Sequence, residues 1–241
     1  MKRIFNVLIF LLIGGSASCL ADGIYLGASL GSQTDDFTKN GSVSMLNSQT
    51  YQPIHEKTVS GTDTAGGVLG EIQLGYRQRV TQHFTFGMEG DFSVGSADVK
   101  LVYPDPNTQE VNNADESIRY TLGVSLMPSF QFNKKALVFM RAGIGFSQLQ
   151  LNSDGYMYNI ANSRPLNQDD HYVVLGTGLN VQYTKHWALR IEADYLRFGS
   201  FSVDEERIND TQPGGQQKIY DYKATYKPYA VRALVGLTYL Y

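Results

Sequence analysis

Val231-Arg232-Ala233-Leu234-Val235-Gly236-Leu237-Thr238-Tyr239-Leu240-Tyr241 closes the chain. Val231, Ala233, Val235, Leu237, Tyr239 and Tyr241 fall on one face of an extended strand. Arg232, Leu234, Gly236, Thr238 and Leu240 fall on the other. A period of two is a strand signature, because successive side chains point to opposite faces. The alternation outlasts the five or six residues of a typical soluble strand. It suits a tilted membrane-crossing strand, which needs about nine to eleven.

The same period runs upstream. Tyr120, Leu122, Val124, Leu126, Pro128, Phe130 and Phe132 alternate with Thr121, Gly123, Ser125, Met127, Ser129 and Gln131. Eight such segments are predicted, at 23–31, 66–80, 83–100, 117–132, 136–151, 171–184, 187–200 and 224–241. Three connections are tight: Thr81-Gln82, Asn133-Lys134-Lys135 and Lys185-His186. Four are long, at 32–65, 101–116, 152–170 and 201–223, and long and short alternate along the chain. Short periplasmic turns and long extracellular loops sort in this way in an outer-membrane barrel. The fold class predicted is all-β, an eight-stranded antiparallel up-and-down transmembrane β-barrel. The long connections are acidic, which on its own is what solvated loops show.

Composition removes other classes. Of the 241 residues 42% are hydrophobic and 18% charged, with 24 glycines, 16 tyrosines and 12 phenylalanines. Lys and Arg total 20 against 23 Asp and Glu, so no basic excess points to nucleic acid. Downstream of residue 21 no apolar run is long enough for a transmembrane helix.

The N-terminus reads as an export signal. Lys2 and Arg3 precede the apolar stretch Ile4–Ile13, and small residues follow at Gly14, Gly15, Ser16, Ala17 and Ser18. That order predicts a signal peptide over 1–21, cleaved after Ala21, and a barrel domain over 22–241. Cleavage there removes Cys19, the single cysteine, and leaves no disulfide. The alternative is lipidation at Cys19, with Ser16 standing where such signals carry Leu.

Alternation assigns the two faces. Toward lipid it places Ile72, Leu74, Tyr76, Phe84, Phe86, Met88 and Phe92, then Val138, Met140, Ile144 and Phe146. Leu175, Leu179, Val181, Tyr183, Trp187, Leu189 and Ile191 follow. Tyr76, Phe132, Tyr183, Trp187, Tyr239 and Tyr241 gather at the periplasmic strand ends, as an aromatic girdle would. Toward the lumen it places Glu71, Glu89, Asp91, Glu192 and Asp194 with Arg77, Arg141, Arg190 and Arg232. Unpaired charges inside a barrel are costly and paired ones tolerable, so an internal salt-bridge network is predicted instead of a wide channel. Glycines such as Gly123, Gly176 and Gly236 on the same face leave room for these long side chains.

With these features the chain resembles the bacterial outer-membrane β-barrel family of OmpA-like and opacity-type proteins. The carriers are the export signal, the eight segments, the loop sorting and the ending Gly236-Leu237-Thr238-Tyr239-Leu240-Tyr241. The resemblance implies residence in the outer membrane of a Gram-negative bacterium, among outer-membrane lipids and lipopolysaccharide. It implies that Leu237, Tyr239 and Tyr241 form a C-terminal signal read by the barrel-assembly machinery, with Tyr241 where Phe is commoner.

A search for chemistry assigns no catalytic, cofactor-binding or metal-ligating residue. Gly123-Val124-Ser125-Leu126-Met127 lacks the last glycine of a hydrolase elbow. His55-Glu56 has Val59 where a zincin needs its second histidine. Asp169-Asp170-His171 is acidic and basic together, but consecutive strand residues point to alternate sides. The reading is therefore a monomeric, porin-like barrel without a cofactor. Its role is structural and adhesin-like, made through four extracellular loops toward host or matrix surface ligands. A narrow channel or small-solute transport barrel is the alternative, and a barrel-scaffold enzyme a third reading.

Overall fold

The computed structural model describes residues 22–46, 53–95, 97–104, 111–154, 166–209 and 218–241. The leader predicted over 1–21 lies outside these residues. Ten strands form one antiparallel sheet: β1 (Gly23–Leu46), β2 (Pro53–Arg79), β3 (Phe84–Gly95), β4 (Asp98–Pro104), β5 (Val111–Asn133), β6 (Ala136–Asp154), β7 (Leu166–Gln182), β8 (Trp187–Phe198), β9 (Phe201–Asn209) and β10 (Lys218–Leu240). The sheet closes on itself because β1 also pairs with β10, from Tyr25 opposite Leu240 to Leu46 opposite Ile219. At membrane level this is an eight-stranded barrel. β4 continues the stave begun by β3, and β9 the one begun by β8.

Side-chain chemistry shapes the three turns. Asn133 Oδ1 accepts from the backbone N–H groups of Lys135 and Ala136 at 2.8 and 2.9 Å. A short polar side chain thus does locally what a turn needs. Thr81 Oγ1 accepts from Phe84 N–H at 3.1 Å, and Thr184 Oγ1 from Trp187 N–H at 3.0 Å.

The spans of the outer connections need correction. Instead of loops over 32–65, 101–116, 152–170 and 201–223, most of these residues are strand. β1 runs on to Leu46 and β2 begins at Pro53, β4 ends at Pro104 and β5 begins at Val111. The two remaining connections shorten likewise, to 155–165 and 210–217. On β1 the outward apolar series ends at Leu30, and Ser32, Thr34, Asp36 and Thr38 follow. Above the bilayer the outer face of a strand meets water while the inner face stays buried, as at Asp35, Phe37 and Lys39. The apolar period then fades while the backbone ladder continues. The segments expected at 83–100 and 187–200 are each broken, after Gly95 and after Phe198.

The extensions do not stay in one wall. Pairing of β2 with β3 stops at Leu69 opposite Gly95, and pairing of β7 with β8 stops at Tyr172 opposite Phe198. Above these points β9-β10-β1-β2 form one four-stranded sheet, and β4, β5, β6 and β7 a second. Among the described residues no ladder joins β9 to β7 or β4 to β2.

Inside, the barrel is layered. Met127, Leu137, Phe139 and Ala188 form an apolar floor at the periplasmic end. Phe37, Leu69, Ile118, Tyr172, Leu196, Phe198 and Tyr226 are buried toward the outer end. Charged side chains fill the level between.

Candidate functional site

Alternation on five strands delivers the charged layer. Glu71 and Arg77 come from β2, Glu89 and Asp91 from β3, and Arg141 from β6. Arg190, Glu192 and Asp194 come from β8 and Arg232 from β10. All nine are at most 3% exposed, so a network this dry depends on mutual pairing. β1 and β5 add Tyr25, Gln33, Thr121 and Ser125.

Arg141 is the hub. Its Nη2 lies 2.5 Å from Asp91 Oδ1, and its Nη1 lies 3.1 Å from Glu192, 3.0 Å from Asp194 and 3.7 Å from Glu71. Its Nε donates to Ser125 Oγ at 3.0 Å. Arg190 grips Glu89 with both Nη atoms, at 2.5 and 2.8 Å, and reaches Glu192 at 2.6 Å. This bidentate fork is the strong form of a carboxylate pair. The Arg190 guanidinium also lies 4.7 Å from the centre of the Phe139 ring, on the apolar floor.

The other two arginines sit at the edges of the layer. Arg232 is 3.8 Å from Glu71 and donates through Nε to Gln33 Oε1 at 2.7 Å. Arg77 lies 5.0 Å from the centre of the Tyr25 ring, and the Tyr25 hydroxyl donates to Glu89 at 2.8 Å. Tyr25 therefore links Arg77 to the layer. Formal charge misses it, but counting two residues back from Gly27 puts it on the lumen face.

A second polar group sits higher. On β1 and β2 the outward apolar residues end at Leu30 and Val68, and Asp35, opposite Ala65, lies beyond them. Gln33 Nε2 donates to Asp35 Oδ1 at 2.7 Å, and Lys39 pairs with Asp63 at 2.8 Å. Burial pushes the Asp35 carboxyl up to about 7, against the pull of the Gln33 hydrogen bond and Arg232. The folded chain therefore holds this proton more tightly than the unfolded chain. Stability from Asp35 falls as pH rises from 3.8 to about 7. Asp35→Asn should flatten that part of a urea-stability profile taken between roughly pH 4 and 8, the window that linkage sets. An unchanged slope would remove Asp35 as its source.

Leu237 and Tyr241 are exposed on the lipid face, with Tyr239 between them. Tyr239 meets Trp187 edge-on at 5.1 Å, Tyr241 edge-on at 4.9 Å and the His186 ring at 5.6 Å. Tyr195 and Tyr229 form a ring pair near the outer end of the apolar belt, 5.8 Å apart. Asp170 and His171 are not brought together as a site. His171 faces outward against Phe146 at 4.7 Å, while Asp170 packs its carboxylate near Gly199.

No curated protein sequence matches the chain. Among solved structures it is similar to the outer membrane protease OmpT from Escherichia coli. The two are 9% identical with a TM-score of 0.49, covering 94% of this chain and 99% of that one. It is similar to the outer membrane protein OprG from Pseudomonas aeruginosa (11%, TM-score 0.41, 92% and 97% covered). A third is Ail, the attachment invasion locus protein of Yersinia pestis (12%, TM-score 0.32, 82% and 98% covered). The outer membrane protein beta-barrel domain family matches residues 7–225. With nearly the whole chain matched and the barrel closed, the chain belongs to this family and is an integral β-barrel protein of the Gram-negative outer membrane.

Proposed function

We propose that the protein is a surface-interaction barrel that contacts host or matrix ligands through its raised sheets. One observation carries this reading. The β9-β10-β1-β2 sheet rises far above the apolar belt, with Leu46 sixteen residues beyond Leu30 on β1. That is roughly 50 Å of strand at about 3.3 Å per residue. A membrane anchor alone has no use for such a height. Hairpins held by continuous ladders form an ordered platform, which spares a partner much of the cost of ordering loops. Among the described residues β9 is paired on one side only, and the sequence puts Asp204, Glu205 and Glu206 on it, so a basic partner surface suits this edge.

The transport alternative has less support. The charged layer and the apolar layers above and below it are buried side chains occupying the lumen. Leu237, Tyr239 and Tyr241, outward on the closing strand, suit the proposed role as the signal for the barrel-assembly machinery.

The test is to trim the β1–β2 hairpin. Thr38 and Thr62 face each other with hydroxyls 3.1 Å apart, so residues 39–61 can be replaced by Asn-Gly, a two-residue hairpin turn. Cells displaying the full chain are expected to bind host cells or matrix proteins. Cells displaying the trimmed barrel should lose that binding while keeping a heat-modifiable folded band. Binding that survives trimming, or is absent from both, counts against the proposal.

A further inference from the structure

An open groove of about 1200 Å³ crosses the outer surface of the barrel. Its floor is one row of the ladder, the backbone of Gln73, Asp91, Gly123, Gly145, Tyr172 and Phe198, each opposite the next. Its walls are the outward residues on either side of that row. One wall runs Leu74, Gly90, Val124, Ile144, Val173 and Arg197, and the other Ile72, Phe92, Leu122, Phe146 and His171. From β2 to β8 this furrow spans five interstrand gaps, about 24 Å.

The furrow climbs. Leu74 is five residues from the periplasmic end of β2, whereas Arg197 is ten from the periplasmic start of β8. Its lower and middle parts are apolar. Gly90 leaves the wall open there, because a Cβ at that position would meet nothing closer than 3.8 Å.

The upper end is cationic. Arg197 pairs across the ladder with Tyr229, and Lys227 lies two residues beyond Tyr229, diagonal to Arg197. Diagonal neighbours on adjacent strands are within reach of long side chains. Both cations are exposed, and among the described residues neither has a protein partner. The nearest carboxylate along that row, Asp36, lies beyond Tyr229 and is hydrogen-bonded by Thr64.

We propose that this furrow is a lipid site. An acyl chain of an outer-leaflet lipid lies along it, and the lipid's phosphate monoester is held at the upper end by Arg197 and Lys227. Two cations set side by side complement a monoester, which carries close to two negative charges, better than a singly charged phosphodiester. The site lies on the barrel wall, apart from the raised sheets, so it stands or falls independently of the surface-interaction reading.

The experiment is native mass spectrometry of the full barrel released from nanodiscs. The discs contain lipid A, which bears phosphate monoesters, phosphatidylglycerol, which bears a phosphodiester, or phosphatidylcholine. Lipid A should stay bound under activation that strips the other two. Arg197→Gln with Lys227→Gln should lower its retained fraction about tenfold, the size of one lost charge-assisted contact. Gly90→Leu, which fills the furrow without touching the charges, should also lower it. Each variant is first shown to keep the heat-modifiable band. Equal retention of lipid A and phosphatidylglycerol overturns the proposal, as does lipid A retention unaffected by either variant.

Discussion

Arg141→Leu is expected to lower the unfolding free energy of the detergent-folded barrel by about 3–5 kcal/mol, the cost of breaking a buried ion pair from one side. The figure is large because Arg141 lies within 4 Å of four carboxylates, those of Glu71, Asp91, Glu192 and Asp194. Leucine would leave these acids crowded at a level with no water to solvate them. Urea titration followed by loss of the heat-modifiable band measures the change. Arg197→Leu is the internal control. Arg197 is exposed and faces outward, so its effect on the same curve should stay within about 0.5 kcal/mol. Equal effects at the two positions would show that the charged layer does not hold the barrel together.

The second large effect is expected at the seam. Gly236 on β10 lies directly opposite Ser29 on β1. A Cβ there would run into Ser29 Oγ and the Ala28 carbonyl, and would come within 2.8 Å of Ser29 Cα. Backbone cannot step aside as a side-chain tip can. Gly236→Val should therefore cost about 3 kcal/mol, the upper end of the overpacking range. The cost falls on the ladder that closes the barrel, so folding yield should drop with stability. Gly90→Ala, where the nearest atom is 3.8 Å away, is the matched control and should leave both unchanged. A folded band of wild-type stability in Gly236→Val would mean that β1 and β10 can separate to admit a side chain.

Where two different environments flank a strand, its sequence is legible. The lipid and lumen faces differ so strongly that Val231 to Tyr241 fixes both the register and the direction of each side chain. The same contrast puts nine charged residues on the inner wall. Their partners were not legible, because pairing depends on which strands stand across the lumen. Alternation says only that Arg141 points inward. That it reaches β2, β3 and β8 is a property of the closed barrel. Tyr25 carries no charge that marks it, and Gln33 falls within the connection expected over 32–65, beyond the expected end of β1. The raised sheets were illegible in principle. Water outside makes the outer face polar, and the buried inner face mixes Gln33, Asp35 and Lys39 with Phe37, so no apolar period of two marks the ladder.

The breaks after Gly95 and Phe198 bear on how this protein can diverge. Each raised sheet hangs from its own staves, and among the described residues no ladder couples one to the other, although β4 lies close beside β2. Substitutions away from the flank where β4 lies beside β2 should then combine additively between the lobes, while those on that flank should couple. Selection can rewrite either lobe away from that flank while the membrane part stays under purifying constraint. The outer half of the molecule is in this sense a pair of modules that meet along one side and vary freely on the others, mounted on a fixed base.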